Sequence, residues 1–320
     1  DCMTNFEEKR GYARTFQEGK LTLGLFTPIE SYAGSVPKMD LEEQTRRMKE
    51  AEEAGYAALW VRDIPFLIPT FGDAGQMYDP WVYLTYMSTV TTDIALGTAS
   101  MILPIRHPIH FATSAASIDH LSKGRLLLGV ASGDRPDEFP AFHVPMHERG
   151  DKFVEAFEQI RKIWTTSFPI HESSFGTMTG AGDVLPKPYH DQPIPMFVTG
   201  SSRQPLEWIG EHGDGWMYYP RNLEFPARAV KEWKEASGDT FKPFMQSLYI
   251  DLSEDPDERP TPIHLGFRTG RHALIKFLQL SETIGVNHII LNFKYGRRPI
   301  DDVLQEMKEY VVPHFSAIEE

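Results

Sequence analysis

Four small residues, Thr199, Gly200, Ser201 and Ser202, stand between an apolar run and a helix start marked by Pro205. Hydroxyls and backbone N–H groups at that spacing can receive a phosphate, although the same residues also read as an ordinary helix cap. Arg149 is a reasonable partner, because a guanidinium fork grips two oxygens of one phosphate. Ala99 and Ser100 close a second apolar run with little bulk, which lets a flat ring lie against the backbone. Arg62 and Asp63 follow a third run. They read as a rim salt bridge or as an acid–base pair, with Asp63 the candidate catalytic residue. His107 with His110, and His143 with His147, have tempting spacings. Pro108 and Pro145 interrupt the two pairs and no dense third ligand accompanies them, so no metal site is expected.

The chain lacks a G-x-G-x-x-G after a strand, a G-x-x-x-x-G-K-[ST], a G-x-S-x-G and an H-E-x-x-H. A Rossmann nicotinamide site is therefore not expected. A net charge of -13 and an isoelectric point near 5.4 argue against nucleic acid or an anionic membrane as partner, since either needs a basic patch. The single cysteine, Cys2, has no internal disulfide partner, which fits a reducing compartment. No apolar run approaches a membrane span and the first residues lack a secretory core, so a soluble cytoplasmic protein is expected.

These residues need a scaffold. Apolar runs at 21–26, 57–61, 94–103, 125–130, 195–198, 216–219, 244–252 and 288–293 read as strands, with helical spacing between them. Asp40 with Glu43, Asp79-Pro80 and Pro205 mark helix starts; Gly55, Gly124, Gly238 and Gly285 mark stops. Eight strands alternating with helices favour a closed (β/α)8 TIM barrel over an open sheet, with loop insertions at its C-terminal face. The polar residues 1–20 read as a mobile extension, and 21–320 as a single domain. The 64–78 loop is expected to face a ligand, and 167–192 to form a hairpin-like insertion over the ligand site.

The stretches GTASMILPIRHP and DHLSKGRLLLGVASG closely resemble the signature of the bacterial luciferase-like flavin-dependent monooxygenases and their relatives that use coenzyme F420. The resemblance implies a barrel that binds reduced FMN, reacts with O2 and inserts one oxygen atom into a small organic substrate. Electrons would come from a separate flavin reductase or from a transiently bound nicotinamide. It also implies a cis peptide at Ala99–Ser100 beneath the flavin ring, a phosphate site at 199–202 and Arg149, and a homodimer. Two positions depart from bacterial luciferase. Ile64 replaces its catalytic histidine, and Ser132 replaces its phosphate-gripping arginine, with Arg135 as a possible substitute. The alternatives are an F420-dependent oxidoreductase, for which Arg203, Lys187 and Arg297 are scattered candidates to meet an acidic tail, and a flavin-binding protein without catalysis.

Overall fold

The computed structural model describes residues 6–33, 36–71, 78–219 and 225–319. Cys2 and residues 72–77 of the long loop lie outside these. Eight parallel strands close into a barrel: β1 (Thr22–Phe26), β2 (Ala58–Val61), β3 (Ala95–Ile102), β4 (Leu126–Ala131), β5 (Met196–Thr199), β6 (Trp216–Tyr218), β7 (Phe244–Leu252) and β8 (His288–Asn292). Closure comes from the β8–β1 and β6–β7 pairings. The helices are α1 (Arg10–Thr15), α2 (Leu41–Ala54), α3 (Pro80–Val90), α4 (Pro108–Leu121), α5 (Glu138–Ala141), α6 (Arg149–Thr165), α7 (Leu206–His212), α8 (Ala227–Ser237), α9 (Arg271–Ile284) and α10 (Ile300–Glu306).

Local chemistry sets the helix ends. Asp40 accepts a hydrogen bond from the Glu43 N–H at 3.1 Å, and α2 stops at Gly55 with φ 105°. Gly285 ends α9 in the same left-handed way, with φ 111°. His107 caps α4 through Nδ1, which accepts from the Ile109 N–H, and Nε2 then donates to the Phe175 carbonyl.

Strand alternation divides the core. Leu23, Leu59, Leu96 and Leu128 face the helices, while Ala58, Trp60, Ala95, Leu127, Phe197, Met245 and Ile290 fill the barrel. Trp60 fits because Gly97 has no side chain: a Cβ there would sit 2.4 Å from the indole. The Trp60 indole N–H donates to His288 Nε2 at 3.0 Å, which leaves the imidazole proton on Nδ1 to donate to Thr22 Oγ1 at 2.8 Å. The Thr22 hydroxyl in turn donates to the Thr15 carbonyl. This chain is satisfied only with a neutral His288, and burial pushes its pKa down to about 3.

Two expectations need correction. Residues 6–20 are not simply a polar extension: α1 closes the amino-terminal end of the barrel, with Tyr12 and Phe16 packed among its interior residues. A buried pair, Lys9 and Asp119 at 2.5 Å, anchors that plug. The 167–192 insertion does contain a hairpin, Ile170–Ser173 with Gly176–Thr179, but it lies on the outer flank against α6 and α4. The reason is connectivity. The segment follows a helix rather than a strand, so it starts at the amino-terminal end of the barrel.

Candidate active site at the barrel mouth

At the carboxyl ends of the strands, inward residues of successive strands converge on one cavity: Phe26, Arg62, Ala99, Thr199, Tyr219, Tyr249 and Ile290. Its empty space, open mouth included, is about 460 Å³. Met217 and Ser100 lie against its floor. The Ala99–Ser100 peptide is cis, as the resemblance implies. The Ser100 hydroxyl makes a short hydrogen bond to the Thr199 hydroxyl, joining the end of β3 to the end of β5.

Asp63 sits differently from the sequence expectation. Its carboxylate is buried and accepts from Arg106 Nε at 2.8 Å, Arg106 Nη2 at 2.7 Å and the Ile102 N–H at 3.0 Å. The rim salt bridge is thus with Arg106, and Asp63 does not line the cavity. Both oxygens being held by donors, the geometry suits a group that fastens the ends of β2 and β3 together rather than one that takes a proton. Arg106, 43 residues away in sequence, carried no signal that would pair it with Asp63.

The 199–204 turn is built tightly. Gly200 (φ 56°), Ser202 (φ 45°) and Arg203 (φ 62°) are all left-handed, and nothing lies within 4 Å of where a Gly200 Cβ would stand. Ser202 is buried and donates its hydroxyl to the Thr199 carbonyl, so it braces the turn. Ser201 is exposed, with its hydroxyl oxygen accepting from the Arg203 N–H at 3.3 Å. The helix that follows, α7, begins only at Leu206 and spans seven residues, so an anion here would meet the turn rather than the first turn of a helix. Gly150, the second residue of α6, packs against Arg203, and Gln204 donates to its carbonyl at 2.9 Å. That contact brings Arg149 beside the turn. Arg149 donates Nη1 to the Met146 carbonyl, while its buried Nε has no hydrogen-bond partner. An open cradle beside an orphaned guanidinium N–H fits a phosphate.

Ser132 is buried past the end of β4, and Arg135 lies 3.6 Å from Glu138. Glu138 went unmarked in the sequence. It is buried and ion-paired with Arg135 through Oε1, with neither carboxyl oxygen accepting a hydrogen bond of ordinary length, and burial pushes its pKa up to about 7. Of the loop aromatics, Tyr219 lines the cavity, Phe139 is core, and Phe66 packs on Phe142 at the exposed rim. The Phe71 side chain lies outside the described residues. Among the described residues no cluster of three or more His, Cys, Asp or Glu is gathered for a metal, and no helix is long and apolar enough to cross a membrane.

With the site in view, comparison with known proteins is decisive on the family. The family model for luciferase-like monooxygenases matches residues 21–262. This chain belongs to that luciferase-like family. Among similar relatives of the luciferase-like chain is an uncharacterized protein of Mycobacterium tuberculosis, 33% identical over 209 residues, spanning 62% of this chain and 72% of that one. Another from the same organism, an F420-dependent hydroxymycolic acid dehydrogenase, is 32% identical over 179 residues, 54% of this chain and 48% of that one. The crystal structure of a monooxygenase from Streptomyces bottropensis superposes with a TM-score of 0.68 at 22% identity, covering 93% of this chain and 100% of that one. That likeness supports the (β/α)8 fold, and the family supports an oxidoreductase.

Proposed function

We propose that this luciferase-like protein binds reduced FMN at the barrel mouth and, with O2, oxygenates a small organic substrate. The observation that carries the reading is the cradle formed by Gly200, Ser201 and Arg149, one strand-end away from the flat, small-residue seat at Ala99 and Ser100. In this reading Arg149 and the Ser201 hydroxyl hold the phosphate, and Ser202 and Thr199 keep the turn in shape. Ala99 and Ser100 receive the ring. Bound there, reduced FMN supplies the electrons with which O2 delivers one oxygen atom to the substrate. The aromatic residues around the mouth limit the access of water. A separate reductase supplies the flavin in its reduced form, and the protein works as a homodimer.

F420 is the second reading, favoured by the F420 dependence of the hydroxymycolic acid dehydrogenase relative. The basic residues that would meet its acidic tail are dispersed, which supports FMN instead. Lys187 donates to the carbonyls of Ile163 and Thr166 on the flank, and Arg297 lies 3.4 Å from Asp251 on the β7–β8 side of the mouth. Ile64, standing where luciferase has its histidine, keeps a non-catalytic flavin carrier in play.

Trp216 offers a reporter, because its indole N–H donates to the Gly200 carbonyl at 2.8 Å. Titrating the apoprotein with FMN and with F420 should quench tryptophan emission with FMN, and Ser201→Ala with Arg149→Ala should weaken that binding at least about tenfold. Selective F420 binding would move the assignment to hydride transfer. FMN binding without oxidation of any of a broad substrate panel would leave a carrier.

A further inference from the structure

A sulfur atom lies at the floor of the mouth cavity. Met217, in the middle of β6, belongs to the barrel interior, and its Sδ stands 3.4 Å from Thr199 Oγ1 and 3.7 Å from Ser100 Oγ. Both of those residues border the cavity. The sulfur also packs on β4 at Gly129, where a Cβ would come within 2.5 Å of it. Any side chain at that strand position would displace the thioether. It is therefore held in one place, directly behind the seat at Ala99 and Ser100.

The hydroxyls beside it have a proton to spare. Ser100 and Thr199 share one hydrogen bond, which uses one of their two hydroxyl hydrogens, and the second has only the Met217 sulfur as acceptor among the described residues. A thioether is a weak acceptor, so that hydrogen is free for a stronger one entering the cavity, such as a peroxide oxygen. The sulfur is also oxidisable. Among the described residues that line the cavity, the others offer hydroxyl, phenol, amide, guanidinium and hydrocarbon groups, and Met217 offers the thioether that peroxide converts to a sulfoxide.

We propose that Met217 is an oxidation site of the cavity: when reduced FMN meets O2 there without an organic substrate, an oxygen atom goes to the Met217 sulfur. Reduced FMN gives two electrons and two protons to O2, which becomes hydrogen peroxide and leaves oxidised FMN. The sulfur lone pair then attacks one peroxide oxygen, the O–O bond breaks and the S–O bond of the sulfoxide forms. The other oxygen leaves as water, taking the proton of the attacked oxygen through the Ser100–Thr199 pair. Sulfur is oxidised by two electrons and the peroxide is reduced by two. The sulfoxide oxygen is a strong acceptor where the thioether was a weak one, so it captures the free hydroxyl hydrogen and adds bulk behind the ring seat. Flavin uptake falls, and the site limits its own unproductive turnover. This regulation of the mouth rests on the FMN reading.

The test supplies the whole protein with reduced FMN in air and in the dark, regenerated by a flavin reductase, without organic substrate and with catalase to destroy peroxide that escapes into solution. Peptide masses then report sulfoxide at each methionine. Met39 is buried to the same degree, 6% exposed against 5% for Met217, but does not line the cavity, and Met146 and Met178 are half-buried. Met217 should carry at least about tenfold more sulfoxide than Met39, and should be marked before Met146 and Met178, because its oxidant forms beside it. Hydrogen peroxide alone, without FMN or catalase, should reach Met146 and Met178 first. The treated protein should lose at least about tenfold in FMN affinity, while Met217→Leu, of similar volume, should keep its affinity through the same treatment. FMN binding without Met217 being marked ahead of the other three overturns the inference and leaves the flavin reading standing. An order of marking that peroxide alone reproduces also overturns it, and so does an affinity loss that Met217→Leu shares. A protein that binds no FMN overturns the flavin reading and, with its oxidant gone, the inference too.

Discussion

Replacing Asp63 separates chemistry from architecture at the end of β2. Its side chain is 1% exposed, against 24% for Arg106, and it receives three hydrogen bonds of 2.7–3.0 Å. Asp63→Ala removes all three, leaving the Ile102 N–H without its acceptor and the guanidinium with only partial hydration. Breaking a buried ion pair from one side costs about 3–5 kcal/mol, and the remaining exposure of Arg106 places the expected loss near the low end, about 3 kcal/mol. Arg106→Met strands the more deeply buried member and should cost about 4 kcal/mol by the same reasoning. The double variant leaves no unpaired charge, so its loss should fall short of the sum by about 2 kcal/mol. Urea unfolding midpoints of the four proteins, with the slopes compared to check that unfolding stays cooperative, give the cycle. A loss below about 1 kcal/mol for Asp63→Ala, or strict additivity in the double variant, would refute the positioning role. If Asp63 is also the catalytic base, Asp63→Asn should abolish turnover in protein that is still fully folded, and Arg106→Met, which keeps the carboxylate, should retain turnover.

Two further outcomes are expected. His288 stays neutral in the folded barrel down to about pH 3, whereas the unfolded chain takes up that proton near pH 6.5, so stability must fall as pH drops below 6.5. The loss between pH 7 and pH 5 should be about 2 kcal/mol, and thermal midpoints that fall in parallel for the unmodified protein and His288→Gln would contradict it. Lys9→Met leaves Asp119 buried with only the Tyr189 N–H, and should cost about 3–5 kcal/mol, most of it recovered by adding Asp119→Leu. Guanidinium unfolding measures both; a double variant no more stable than Lys9→Met would show that the pair is not the anchor of α1.

Much of the scaffold was legible because its causes are local. A helix start needs a side-chain acceptor for a free N–H, and a helix stop needs a residue that tolerates positive φ. Asp40, Gly55 and Gly285 announce themselves by type, and each sits at the helix end that its type implies. The strand count and alternation then implied closure, and closure told which strand ends to inspect. The signature around Ala99 and Ser100 led to the cis peptide only through family resemblance, since spacing alone implied no more than a small seat for a ring.

What escaped was set by pairings between distant segments. The sequence put Asp63 beside Arg62, but strand alternation turns neighbouring side chains in different directions: Arg62 lines the cavity and Asp63 meets Arg106. The leader looked polar on average, yet Tyr12 and Phe16 fill a barrel end that no local pattern could reveal as open. Gly97 read as one small residue in a strand, and only the neighbouring strand's Trp60 explains why nothing larger fits. Sequence thus determined the elements, because propensities and caps act within a few residues, while the tertiary structure decided the partners, because closing the barrel joins groups that the chain holds far apart.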